Sequence, residues 1–170
     1  MKKSFFISIC ILLAFGLLHS LSAKSNEKEL DQAELMKQFI GTWDSEVGGD
    51  TVISLRISPH NNGMYIVQEN KANGNTFFTL KQVIGFSDDK KMFIATFTAA
   101  DGTAIIDLGK FVTKNKYVSD RYLGNICHAN GQGVWEFTTP ESFSVRFRWR
   151  GNKMIWLDDW TTWTTFKKIK

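Results

Sequence analysis

Apolar and polar positions follow two different periods along this chain. Over residues 27–40, Leu30, Ala33, Met36 and Phe39 or Ile40 recur at helical spacing, with Lys28, Asp31, Glu34 and Lys37 between them. Asn26 and Glu29 have the spacing of a capping box, and Gly41 stands where the helix should stop. One short amphipathic helix is expected here. After Gly41 the period drops to two. Ile53, Leu55 and Ile57 alternate with Ser54, Arg56 and Ser58. Phe93, Ala95 and Phe97 share a face. Phe143, Val145, Phe147 and Trp149 alternate with Ser144, Arg146, Arg148 and Arg150. Such alternation builds strands with one buried face and one wet face. Residues 76–86 are apolar on both faces, so cover by the helix or a neighbouring sheet is expected there.

Turn chemistry separates these strands at intervals of about ten residues. It falls at Gly48-Gly49-Asp50, at His60 through Asn61-Asn62 to Gly63, and at Asn73-Gly74, Asp88-Asp89, Asp101-Gly102, Lys114-Asn115, Asn130-Gly131, Pro140 and Gly151-Asn152. Asn-Gly and Asp-Gly suit the primed turns of tight hairpins. No second helical stretch is long enough for a crossover. The expected fold is all-β: an antiparallel up-and-down β-barrel or half-barrel of about nine to eleven strands with one short N-terminal helix.

The first residues change the expected compartment. Lys2 and Lys3 precede an apolar run over residues 5–18, and small and polar residues follow to Ala23. This is the layout of a secretory signal peptide, with cleavage expected after Ala23 or Ser22. The run is shorter than the about 20 apolar residues of a membrane span. Cys10 lies mid-run behind Ile9, which does not suit lipid attachment. Residues 1–23 are therefore expected to be a signal peptide. Residues 24–170 are expected to form one soluble domain, periplasmic or secreted, with no membrane span. Cys127 would be the sole cysteine left, so no internal disulfide can form. The net charge is +4, with acidic and basic residues interspersed. The lack of a basic stripe argues against nucleic acid as a partner.

The segment Phe39-Ile40-Gly41-Thr42-Trp43 resembles the Gly-x-Trp opening of the first strand in lipocalins and fatty-acid-binding proteins, the calycin group. With a helix before it and antiparallel strands after it, the chain most resembles small bacterial lipocalin-like families. The resemblance implies that Trp43 plugs one end of a barrel and that residues 162–169 close it. It also implies an Arg on a late strand against the Trp, a role for which Arg148 and Lys167 are the candidates. Two departures stand out: there is no disulfide, and Asp44-Ser45-Glu46 does not match the Gly-rich continuation of haem-binding relatives. No ligand class carries over.

Candidate chemistry is sparse. Cys127 and His128 are adjacent, so in a strand they point to opposite faces and cannot share a proton. Asp158 and Asp159 diverge for the same reason. His60 sits in a turn, and no cluster has metal-ligand spacing. No catalytic residue, metal or cofactor is assigned. The excess of aromatics is more informative. Trp135, Trp149, Trp156, Trp160 and Trp163 crowd the last third of the chain, as pocket lining or as core. Turning the more aromatic face of each strand inward gives a ligand-binding set of Tyr65, Phe97, Tyr117, Arg121, Trp135, Phe147 and Trp149. Val67, Phe93 and Phe137 share those faces. Arg146, Arg148 and Arg150 fall on the outer face. Arg121 shares its face with Tyr117, Ser119 and Leu123, and inside a lumen it would need an acidic partner or a ligand anion. The expected function is binding of a small hydrophobic or amphipathic ligand in the barrel. The alternatives are a structural or protein-interaction module with a self-filled barrel, or a small cavity-based enzyme such as an isomerase.

Overall fold

A computed structural model describes residues 29–98, 102–124, 128–150 and 160–169. The expected signal segment, Cys127, Trp156, Asp158-Asp159 and the Gly151-Asn152 turn lie outside the described residues, as does the side chain of Trp163. Ten strands follow one helix. They are β1 (Gly41–Glu46), β2 (Thr51–His60), β3 (Gly63–Ala72), β4 (Asn75–Ser87), β5 (Met92–Thr98), β6 (Ala104–Thr113), β7 (Lys116–Leu123), β8 (Gly131–Thr139), β9 (Ser142–Trp149) and β10 (Thr161–Lys168). Each pairs antiparallel with the next. β10 returns to β1 through Trp43 opposite Lys168 and Asp44 opposite Lys167, so the barrel is closed rather than half-open. Closure leaves no sheet edge at either end of the strand order.

The helix is shorter than its periodicity suggests. Helix α1 covers Gln32–Met36 and runs on as a 3-10 turn over Lys37–Phe39. Its cap is Asp31, whose carboxylate accepts from the Glu34 amide at 3.0 Å; Asn26 lies outside the described residues. The side chain of an N-cap acceptor satisfies one of the unpaired amides of the first turn. Lys37 pairs with Glu34 on the exposed side.

This short element stoppers one end of the barrel. Phe39 is fully buried, and its ring lies 4.8 Å from Phe137, 5.3 Å from Phe143, 5.6 Å from Trp135, 6.0 Å from Phe111 and 6.2 Å from Tyr117. Trp43, also fully buried, meets Phe143 at 4.9 Å and donates its indole N–H to the Phe39 carbonyl at 2.7 Å. The basic residue on the Trp is neither Arg148 nor Lys167 but Lys168, whose ammonium sits 5.1 Å from the ring centroid. The reason is register. Lys168 is directly opposite Trp43 and shares its face, whereas Lys167 is opposite Asp44. The glycine of Gly-x-Trp has its own cause: Gly41 has φ +140°, and a Cβ there would lie 2.7 Å from Lys168 Cε.

Polar bonds fasten the helix to the strand ends. The β6–β7 ladder shifts register between Phe111 and Thr113, with Val112 bulged out and exposed. Beside the bulge, Gln32 Oε1 accepts from the Phe111 amide at 2.7 Å and Gln32 Nε2 donates to the Phe111 carbonyl at 3.1 Å. Gln38 Nε2 donates to the Lys114 carbonyl at 2.9 Å.

Among the described residues the expected cover over both faces of residues 76–86 is not found. The helix caps the barrel end instead, and Phe77 and Val83 on the outer face of β4 are 63% and 46% exposed. β4 bonds to β3 along its length, but its pairing with β5 covers only Val83–Ser87. Among the described residues no strand pairs with the other edge of residues 75–82.

The stopper yields a first test. Trp43→Ala should lower unfolding stability by about 3–5 kcal/mol in urea titration, the usual loss for a buried Trp. A loss below about 1 kcal/mol would mean that Trp43 does not hold the barrel end.

Candidate functional site

Above the aromatic floor the side chains of the described residues leave the lumen unfilled. A cavity of about 470 Å³ runs toward the far end of the barrel, walled by side chains of β2 through β10. Leu55, Ile66, Ile84, Ala95 and Trp135 make its deep part. Phe78, Leu80, Phe97, Phe147 and Trp149 line it as well, and Phe78 and Trp149 are partly exposed. Its polar groups are Gln68, Gln82, Asp107, Tyr117, Ser119, Arg121 and Thr161.

Glycines in the wall make room for the rings. A Cβ on Gly131 would lie 2.8 Å from a Trp149 ring carbon, one on Gly133 2.9 Å from a Phe147 ring carbon, and one on Gly109 2.1 Å from the Tyr117 hydroxyl. Glycine inside a strand often marks such a close approach. In the β8–β9 ladder Gly131 pairs with Trp149 and Gly133 with Phe147, so each ring lies against bare backbone across from it.

Arg121 is already partnered. Its Nε donates to Asp107 Oδ1 at 2.8 Å and its Nη2 to Asp107 Oδ2 at 2.7 Å, a bidentate pair between residues directly opposite in the β6–β7 ladder. The side chains are 21% and 14% exposed. Three rings surround the guanidinium: Phe97 and Phe147 at 5.3 Å and Trp149 at 5.9 Å from its central carbon. Deeper in, burial pushes the Tyr117 phenol well above its ordinary pKa, and the negative charge of Asp107 adds to the shift. The phenol therefore keeps its proton to higher pH than a solvated tyrosine does.

Of the seven ligand-binding residues expected from sequence, the structure brings six to this cavity: Phe97, Tyr117, Arg121, Trp135, Phe147 and Trp149. Tyr65 is not among them. Ser58 is directly opposite Tyr65 and Arg56 opposite Val67, so both residues belong to the outer face, beside a shallow groove with Thr42 and Lys81. Met64, Ile66 and Gln68 point inward, opposite Pro59, Ile57 and Leu55. Phe93 and Phe137 face inward but belong to the buried core. The arginines of β9 lie outside, where Arg146 pairs with Glu136 at 3.0 Å and Arg148 donates to Gln132 at 2.8 Å. Both stack on Trp160, at 5.9 and 4.6 Å. Sequence reasoning missed Asp107, Gln68, Gln82, Phe78 and Leu80. Among the described residues, no three His, Cys, Asp or Glu side chains converge to hold a metal ion.

The buried phenol has a pH signature. An unfolded Tyr ionises near pH 10.0, whereas folded Tyr117 keeps its proton to higher pH. Its contribution to stability is complete below that value and is lost as pH rises above it, because the unfolded state releases the proton first. Above about pH 10, wild type should lose roughly 1 kcal/mol more per pH unit than Tyr117→Phe in chemical denaturation. Parallel curves for the two proteins would mean that Tyr117 is solvated.

No family model matches the chain, and no curated protein matches it either.

Proposed function

We propose that this chain is an exported, lipocalin-like binding protein that holds a small apolar or amphipathic molecule in its barrel. The observation that carries this reading is the unfilled upper lumen. At about 470 Å³ it exceeds the roughly 300 Å³ at which pockets begin to take drug-sized ligands. A self-filled interaction module has no use for such a space. An apolar wall with a few grouped polar side chains is what a ligand with one polar end requires. Binding is favoured over isomerisation because the one carboxylate among the described lining residues, the natural base for proton abstraction, is held by Arg121. Export rests on Lys2, Lys3 and the apolar run that follows.

Titration with a fluorescent fatty-acyl probe tests the reading. Wild type should bind one equivalent. Ala95→Phe, which projects a ring into the deep part of the cavity, should weaken binding by about tenfold or more. Absence of binding to wild type would overturn the proposal, and equal binding by the two proteins would move the site out of the lumen.

A further inference from the structure

Among the described residues the one fully charged contact in the cavity is between two wall residues, and this restricts the ligand's polar end. We infer that the cavity takes an amphipathic molecule whose head group is uncharged, an ester, amide or alcohol rather than a free carboxylate. The inference rests on the binding reading above and narrows it.

Among the described lining residues Asp107 and Arg121 are the only acidic and basic side chains, and their two parallel bonds of 2.8 and 2.7 Å set one formal charge against the other. One edge of the guanidinium faces Asp107, while Phe97, Phe147 and Trp149 stand around it at 5.3 to 5.9 Å. A ligand carboxylate has two ways to use Arg121. It can share the guanidinium with Asp107, placing two like charges side by side in a largely apolar chamber, where each opposes ionisation of the other. Alternatively it can displace Asp107, leaving a carboxylate only 14% exposed without its counter-ion. Breaking a buried pair in this way is strongly unfavourable. A cationic head group meets the mirror-image problem at Arg121.

An uncharged head group meets neither obstacle. Gln68 and Gln82 on one wall and Tyr117 and Ser119 on another present amide and hydroxyl groups, each able both to donate and to accept. Such groups match an ester or amide carbonyl, an amide N–H or an alcohol without a change of charge.

The test is displacement of the fluorescent probe by a long-chain fatty acid, its methyl ester and its primary amide, all of one chain length, at about pH 8 where the acid is ionised. Wild type should bind the ester and the amide about tenfold or more tighter than the acid. Asp107→Asn leaves Arg121 with an unbalanced charge and should shift the acid-to-ester affinity ratio by about tenfold or more toward the acid. That shift separates head-group charge from the greater general hydrophobicity of the neutral compounds. The double variant Asp107→Asn, Arg121→Gln restores a neutral wall and should return the ratio to that of wild type. An acid that binds wild type as tightly as the ester would overturn the inference and leave the binding reading intact. Failure of the probe and all three compounds to bind would overturn both. The wild-type comparison stands by itself if a variant fails to fold.

Discussion

The hydrogen bond from the Trp43 indole to the Phe39 carbonyl, 2.7 Å long and fully buried, is the constraint on which the rest of the molecule depends. Barrel diameter grows with strand number, and about eight strands already give an interior that wall side chains only just fill. Ten strands need something more at the closed end. The chain supplies it by turning its helical entry across the opening and lowering Phe39 among the wall rings. That places the Phe39 carbonyl away from water, where an unpaired acceptor would cost about 1–3 kcal/mol. Trp43 satisfies it and continues the packing through Phe143 to Phe166, stacked at 5.1 Å. Lys168 then covers the Trp face from the closing strand, and Gly41 leaves space for it. One sequence triplet thus joins helix, first strand and last strand.

A stopper at one end divides the barrel into a packed half and an open half. The bulge at Val112 belongs to the first and acts on the second. It offers the Phe111 amide and carbonyl to Gln32, which fastens the helix. It also moves the register of β6 by one residue, and that shift puts Asp107 across from Arg121. With the guanidinium neutralised, the upper chamber can stay open without an unpaired buried charge. Gly109, Gly131 and Gly133 let aromatic side chains approach the wall closely, so the rings shape the chamber without closing it.

Much of this is legible in the sequence. Period two, the turn dipeptides and the Gly-Thr-Trp opening point to an antiparallel barrel entered from a helix, and six cavity residues follow from turning aromatic faces inward. Tyr65 shows where that rule fails. β3 is apolar on both faces, and aromaticity picked the wrong one. The two-residue turn Asn61-Asn62 carried the answer, because it pairs Ser58 with Tyr65 on the outer face. Asp107 was not legible in the same way. Counting back from the Lys114-Asn115 turn without a bulge sets Arg121 against Leu108, and nothing in the letters near Val112 announces the extra residue. The helix start was misjudged because Asn26 and Glu29 have cap spacing while Asp31 makes the bond. The aromatic outer face of β4 misled through the assumption that large apolar residues must be covered. Phe77 and Val83 are exposed instead, and apolar atoms make up much of any folded surface.

A crystal structure of the protein under xenon pressure tests the division of the barrel most directly, since xenon enters apolar space that side chains leave empty. The expected result is xenon density in the upper chamber, among Ile66, Ile84, Ala95 and Trp135, and none between Phe39, Trp43 and Phe143. An upper lumen closed by its own side chains, or xenon within the aromatic floor, would contradict it.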